Sequence, residues 1–172
     1  GCLAYDAVRY FEHLPDTARD DLEFPDVAFM LIDTLVIFDH AKHQLIILAN
    51  AHNTEGEDAA YDDALRRIEA IGEALKQPLV VPPEAPPQDD ELRSNVTPDE
   101  FEDRVRRAKE YIAAGDAFQI VLSQRLTRRT NASPLTIYRA LRATNPSPYM
   151  FLLRFSDEFT MVGASPEMMV RL

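Results

Sequence analysis

Two side chains in the second half of the chain are of the types that take part in reactions, Gln119 and Glu167. A loop between them, Pro148-Tyr149-Met150, is of the type that walls a small ligand. Gln119 lies in Gly115-Asp116-Ala117-Phe118-Gln119-Ile120-Val121-Leu122-Ser123-Gln124-Arg125, a long amide inside a largely apolar run. A buried amide finds partners or costs about 1–3 kcal/mol. It is therefore either bonded to neighbouring backbone or turned towards a ligand. Glu167 follows Ser165-Pro166 in Gly163-Ala164-Ser165-Pro166-Glu167. Pro166 fixes its own φ and restricts Ser165, so Glu167 is presented in a defined direction. A carboxyl there acts as a general acid where partial desolvation raises its pKa, or is an edge charge in solvent. In Asn145-Pro146-Ser147-Pro148-Tyr149-Met150-Phe151 two alternating prolines stiffen the chain. Tyr149 and Met150 add an amphipathic and a soft surface, as suits a ligand wall or a structural corner. On spacing alone the structural explanation comes first for all three.

Other candidates are weaker. His40 and His43 have a metal-ligand spacing, but they fall in a turn with no clear third ligand, so no metal site is assigned within this chain. Cys2 is the only cysteine, which excludes an internal disulfide and suits a cytoplasmic protein. Asn95-Val96-Thr97 and Asn131-Ala132-Ser133 match the glycosylation pattern, but each is followed by proline and no export signal is visible.

The chain has 172 residues, 46 % of them hydrophobic, enough for a core and too ordered a composition for disorder. No apolar run approaches the roughly 20 residues that cross a bilayer, so no membrane role is expected. A net charge of −11 argues against nucleic acid as a partner. The charge is uneven: residues 1–95 hold 20 acidic and 7 basic side chains, residues 96–172 hold 9 and 11. The second half can therefore receive a small anion without opposing its own field.

The elements that must position these residues follow from pattern. Residues 78–95 contain five prolines and an acidic cluster, which predicts an extended linker between residues 1–77 and 96–172. Before it, Val27 to Phe38 and Leu45 to Ala49 read as strands joined by a polar turn, and Glu57 to Lys76 as a helix. After it, Thr97-Pro98-Asp99-Glu100 has capping-box spacing, Phe101, Val105, Ala108 and Ile112 form a stripe, and Gly115 is a C-cap. Ala117 to Arg125 reads as a strand, with Phe118, Ile120 and Leu122 on one face and Gln119, Val121 and Ser123 on the other. Ser133-Pro134 opens a helix to about Ala143. Met150 to Phe155 and Phe159 to Gly163 read as a hairpin, and Met168 to Leu172 as the start of another strand. The expected class is α+β, strands and helices in layers.

Taken together, the Gly115–Arg125, Asn145–Phe151 and Gly163–Glu167 segments resemble the chorismate-binding enzymes, and among them the component I type of anthranilate synthase. The likeness extends to the first half, in Tyr5-Asp6-Ala7-Val8-Arg9-Tyr10-Phe11 and in Phe29-Met30-Leu31-Ile32-Asp33-Thr34.

The resemblance implies a layered α+β fold, incomplete in this chain, with residues 1–77 from a regulatory N-terminal domain and 96–172 opening the chorismate domain. It implies a lyase of tryptophan biosynthesis that converts chorismate and ammonia to anthranilate and pyruvate. Ammonia would come from a glutamine amidotransferase subunit. Gln119 falls where related water-adding enzymes carry a lysine that activates water; ammonia is already a nucleophile, so a neutral amide suffices. Glu167 matches the acid that protonates the departing 4-hydroxyl. Pro148, Tyr149 and Met150 match a loop of the tryptophan feedback site. Magnesium is the implied cofactor, with its glutamate ligands expected outside these 172 residues, so the chain alone is expected to be inactive. The alternatives are aminodeoxychorismate synthase component I, and a non-catalytic fragment that binds a ligand or partner.

Overall fold

The computed structural model describes residues 1–54, 56–80 and 90–168. In chain order the elements are β1 (Cys2–Leu3), a 3-10 turn (Tyr5–Tyr10), β2 (Val27–Ala28), β3 (Thr34–Asp39), β4 (Gln44–Ala49), α1 (Glu57–Leu75), β5 (Arg93–Ser94), α2 (Pro98–Ala114), β6 (Leu126–Thr127), α3 (Pro134–Thr144), β7 (Tyr149–Arg154) and β8 (Thr160–Ser165). Among the described residues the strands pair as four antiparallel two-stranded sheets: β1 with β2, β3 with β4, β5 with β6, β7 with β8. The class is α+β. The chain divides into two units, residues 1–82 with 146–172, and residues 83–145.

In the first unit, β3 and β4 run in register from Thr34 opposite Ala49 to Asp39 opposite Gln44. The polar turn closes because Asp39 Oδ1 accepts from the backbone N–H of Ala41 (3.1 Å) and Lys42 (3.0 Å), and His43 takes a left-handed φ of 52°. Thus His40 and His43 belong to a turn. α1 packs on β4, and its buried residues are Ala60 and Ala64. Arg67 clamps helix to hairpin. Its Nη1 donates to Thr34 Oγ1 (2.7 Å), Nη2 donates to the Asn50 carbonyl (2.8 Å), and Nε pairs with Asp63 one turn back (2.9 Å). Asp33 Oδ2 lies 3.3 Å from both Arg67 Nη1 and His52 Nε2. The Thr34 hydroxyl, then Arg67 and His52, hold the Asp33 carboxyl below the ordinary carboxylate range.

β7 and β8 also belong to this unit, paired from Tyr149 opposite Ser165 to Arg154 opposite Thr160. Their turn is held by Ser156 Oγ, which accepts from the N–H of Glu158 (3.2 Å) and Phe159 (3.0 Å). Phe159 stacks on Phe155 and on Phe24, with ring centroids 5.0 Å apart in each case. The Phe151 ring lies over its cross-strand partner Gly163, where any Cβ would collide with it.

In the second unit the capping box forms as spaced. Thr97 Oγ1 accepts from Glu100 N (3.3 Å), and Glu100 Oε2 accepts from Thr97 N (2.8 Å), which lowers the Glu100 carboxyl pKa. Gly115 ends α2 at φ 87°, the left-handed conformation that favours glycine. Its N–H bonds to the Ile112 carbonyl and that of Asp116 to the Tyr111 carbonyl, a Schellman motif. The Ser133 side chain caps α3 by accepting from Thr136 N (3.2 Å).

Strand lengths depart from expectation. The predicted strand over 27–38 breaks into β2 and β3. The predicted strand over 117–125 has no ladder: only Leu126–Thr127 pairs, with Arg93–Ser94. A strand exists through its neighbour, and among the described residues no second strand lies against 117–125. Residues 81–89 of the proline-rich stretch, and residues 169–172 of the strand predicted over 168–172, lie outside the described residues.

Burial is slight. Among the described residues the buried hydrophobics are Ala7, Ala60, Ala64 and Val96, and no side chain is fully enclosed. On β3 and β4, Leu35 opposes Leu48 and Ile37 opposes Ile46, and all four side chains are exposed. Such paired aliphatic faces associate when uncovered. Produced alone, the 172 residues should elute from size exclusion above monomer size or bind a hydrophobic dye. A dye-negative monomer would contradict this.

The Asp33 pair also sets a pH dependence. A depressed folded pKa contributes stability above the unfolded carboxylate value, about 4, and loses it as pH falls through the lower folded value. Unfolding followed by circular dichroism should show Asp33→Asn less stable than wild type at pH 7, with the difference closing below about pH 4. A difference unchanged down to pH 2 would remove Asp33 from this role.

Candidate functional site

Gln119 is placed by anchors on either side. Before it stands the Gly115 cap. After it, Gln124 Nε2 donates to Ser94 Oγ (2.9 Å), Asn95 N donates to the Arg125 carbonyl (3.0 Å), and Arg125 N donates to Asn95 Oδ1 (2.9 Å). Between these anchors Ile120 and Leu122 turn to α2. With Arg104, Arg107, Ala108 and Tyr111 they line an open groove of about 300 Å³. Gln119 is exposed, as are its neighbours Phe118 and Val121, at 95 % and 82 %. The expected face of Phe118, Ile120 and Leu122 is therefore only partly formed: Phe118 leaves it, because no sheet holds the segment to strict alternation. The amide expected to be buried stands in solvent among the described residues, so nothing here forces it to find a partner.

The other predicted residues gather at the open end of the β7–β8 hairpin. Tyr149 is half-exposed, Met150 is partly buried and Pro148 is exposed just before the ladder begins. Tyr149 pairs with Ser165, the last residue of β8, and Pro166 and Glu167 follow directly. Pro148–Met150 and Glu167 thus lie within a few residues of one ladder rung. Gln119 belongs to the other unit.

Two hydroxyls that spacing did not single out shape this end. Ser147 Oγ donates to the Tyr149 carbonyl and Ser165 Oγ to the Glu167 carbonyl, each at 3.2 Å. Each bond spans a proline. The sequence signal was the repeated Ser-Pro-X, at 147–149 and at 165–167. Glu167 is exposed. The Arg67 clamp and the arginine-rimmed groove were likewise not singled out from sequence.

A polar cavity of about 490 Å³ lies along the first turns of α1, lined by His52, Thr54, Ala59, Ala60, Asp62, Asp63 and Arg66. Among the described residues no three His, Cys, Asp or Glu side chains converge to hold a metal ion. Among the described residues no helix is long and apolar enough to cross a membrane.

The fold of small antiparallel sheets and capped helices has a known counterpart. The chain belongs to the chorismate binding enzyme family, whose model matches residues 1–172. It is similar to anthranilate synthase component 1 of Acetivibrio thermocellus, 38 % identical over 179 residues that cover 100 % of this chain and 36 % of the relative. It is also similar to anthranilate synthase component 1 of Streptomyces coelicolor, 42 % identical over 181 residues that cover 99 % of this chain and 35 % of the relative. Among solved structures, anthranilate synthase component I from Streptococcus pneumoniae TIGR4 matches with a TM-score of 0.77 at 29 % identity, over 96 % of this chain and 37 % of that one. The chain thus spans little more than a third of the length of these relatives.

Proposed function

We propose that these 172 residues serve as one part of a chorismate-using lyase of the anthranilate synthase component I type. The observation that carries this reading is identity near 40 % along the whole chain to proteins of that name. In the proposed reaction ammonia bonds to C2 of chorismate, and the 4-hydroxyl departs as water with a proton from Glu167. Loss of a ring proton and of the enolpyruvyl group, as pyruvate, then gives anthranilate. Atoms balance: chorismate and ammonia become anthranilate, pyruvate and water.

Glu167 is the acid of this proposal. Its place after Pro166, at the end of a paired strand, supports a directed carboxyl. Gln119 is the neutral amide beside an incoming nucleophile that needs no base. Pro148, Tyr149 and Met150 form part of the wall that receives tryptophan as feedback inhibitor. Tyr149 offers an exposed amphipathic ring and Met150 a soft side chain for that purpose. Magnesium would be held by residues outside this chain, and ammonia would be delivered by a glutamine amidotransferase subunit. The cytoplasm is the compartment where chorismate and a reduced Cys2 coexist.

The test supplies chorismate, ammonium and magnesium and follows anthranilate fluorescence. A longer enzyme containing these residues should give the signal and the 172 residues alone none. Amination at C4 would instead yield a product lacking the ortho amine. In the longer enzyme Glu167→Gln should lower kcat by roughly 10²- to 10⁴-fold and shift KM far less. A folded Glu167→Gln enzyme with wild-type turnover would remove Glu167 from the chemistry, and turnover by the 172 residues alone would contradict their dependence on the rest.

A further inference from the structure

The open end of the β7–β8 hairpin carries a duplicated arrangement. Ser147-Pro148-Tyr149 enters the ladder and Ser165-Pro166-Glu167 leaves it, and the two meet where Tyr149 pairs with Ser165. In each, the serine hydroxyl donates at 3.2 Å to the carbonyl two residues on. In each, the intervening proline removes one backbone donor and fixes one φ. Once Pro166 has left the ladder, the Ser165 hydroxyl bond ties the Glu167 peptide back to the strand. On the other side of the rung, Ser147 restrains the backbone of Tyr149 in the same way.

We propose that Ser165 is a positioning residue for Glu167. Its backbone is fixed by the rung with Tyr149, its hydroxyl holds the Glu167 carbonyl, and Pro166 limits the rotation between them. The backbone from which the Glu167 side chain extends is thereby held by the hairpin. The inference rests on the assignment of Glu167 as the acid and adds the device that aims it. Displacement of a reacting group by about 1 Å can cost up to 100-fold in rate, so a restraint two residues away reaches turnover through geometry. A positioning residue acts on kcat and leaves substrate affinity in place.

The experiment uses the longer enzyme, with Ser165→Ala, Ser165→Thr and Glu167→Gln compared with wild type. The readouts are kcat, KM for chorismate and the pH profile of kcat. Ser165→Ala is expected to lower kcat about tenfold with KM within about twofold, and to leave the acidic and basic limbs of the profile in place. Ser165→Thr keeps the hydroxyl and is expected to recover kcat to within about threefold of wild type. If Ser165→Ala turns over at the wild-type rate while Glu167→Gln is inactive, the positioning role is overturned and the acid assignment stands. If Glu167→Gln is itself fully active, the acid assignment fails and the positioning role with it. Should Ser165→Ala fail to fold, Ser165→Thr and Ser165→Cys replace it. Equal loss of kcat in both, despite the hydroxyl that only the first retains, overturns the proposal.

Discussion

Each ladder among the described residues is two strands wide, and that limit governs what they can do. A two-stranded antiparallel pair satisfies one edge of each strand and leaves the other open. It also has too little area to bury a face by itself. The β3–β4 pair covers one face with α1 and exposes Leu35, Ile37, Ile46 and Leu48 on the other. Local order therefore rests on directional contacts more than on burial. These are the Thr97 capping box, the Gly115 Schellman turn, the Arg67 clamp and the side-chain-closed hairpin turns at Asp39 and Ser156. Burying a single Leu or Ile side chain would contribute about 1.5–3 kcal/mol, against about 1 kcal/mol for a cap. The aliphatic residues left exposed thus represent the larger reserve of stability, available only when another surface covers them.

The same limit shapes the candidate site. Residues with a chemical reading sit at ladder ends or outside the ladders, where side chains face outward. Tyr149 opens β7 and Glu167 follows the close of β8. Gln119 lies in a segment tied down at its two ends and unpaired between them. This arrangement presents the side chains and does not enclose them. Glu167 and Gln119 are both exposed among the described residues, so both proposed roles depend on surfaces beyond those described. The relatives are nearly three times as long as this chain, which is consistent with such surfaces.

Much of the fold was legible because its signals are local. Thr97 to Glu100 and Gly115 mark α2 through contacts no more than five residues apart, and both ends fall as spacing predicts. The β3–β4 and β7–β8 hairpins follow from β-branched and aromatic runs around polar turns. The misreading at 117–125 has the opposite cause. Its composition is that of a strand, but composition cannot supply a neighbouring strand, and among the described residues none forms a ladder with it. The family was legible from three short segments in order, and its model matches the whole chain. What spacing missed were contacts made through space: Arg67 reaching Thr34 and Asn50 from 33 and 17 residues away, and the serine hydroxyls bridging Pro148 and Pro166.

The central claim is chemical: a neutral amide at position 119 suits a nucleophile that needs no base, while Glu167 protonates the leaving group. It is tested most directly by Gln119→Lys in the longer enzyme, with chorismate, magnesium and a fixed ammonium concentration, and with products separated chromatographically. The expected result is a fall in anthranilate accompanied by a new product in which water has added in place of ammonia. Anthranilate formation at the wild-type rate, with no water adduct, would contradict the role given to Gln119.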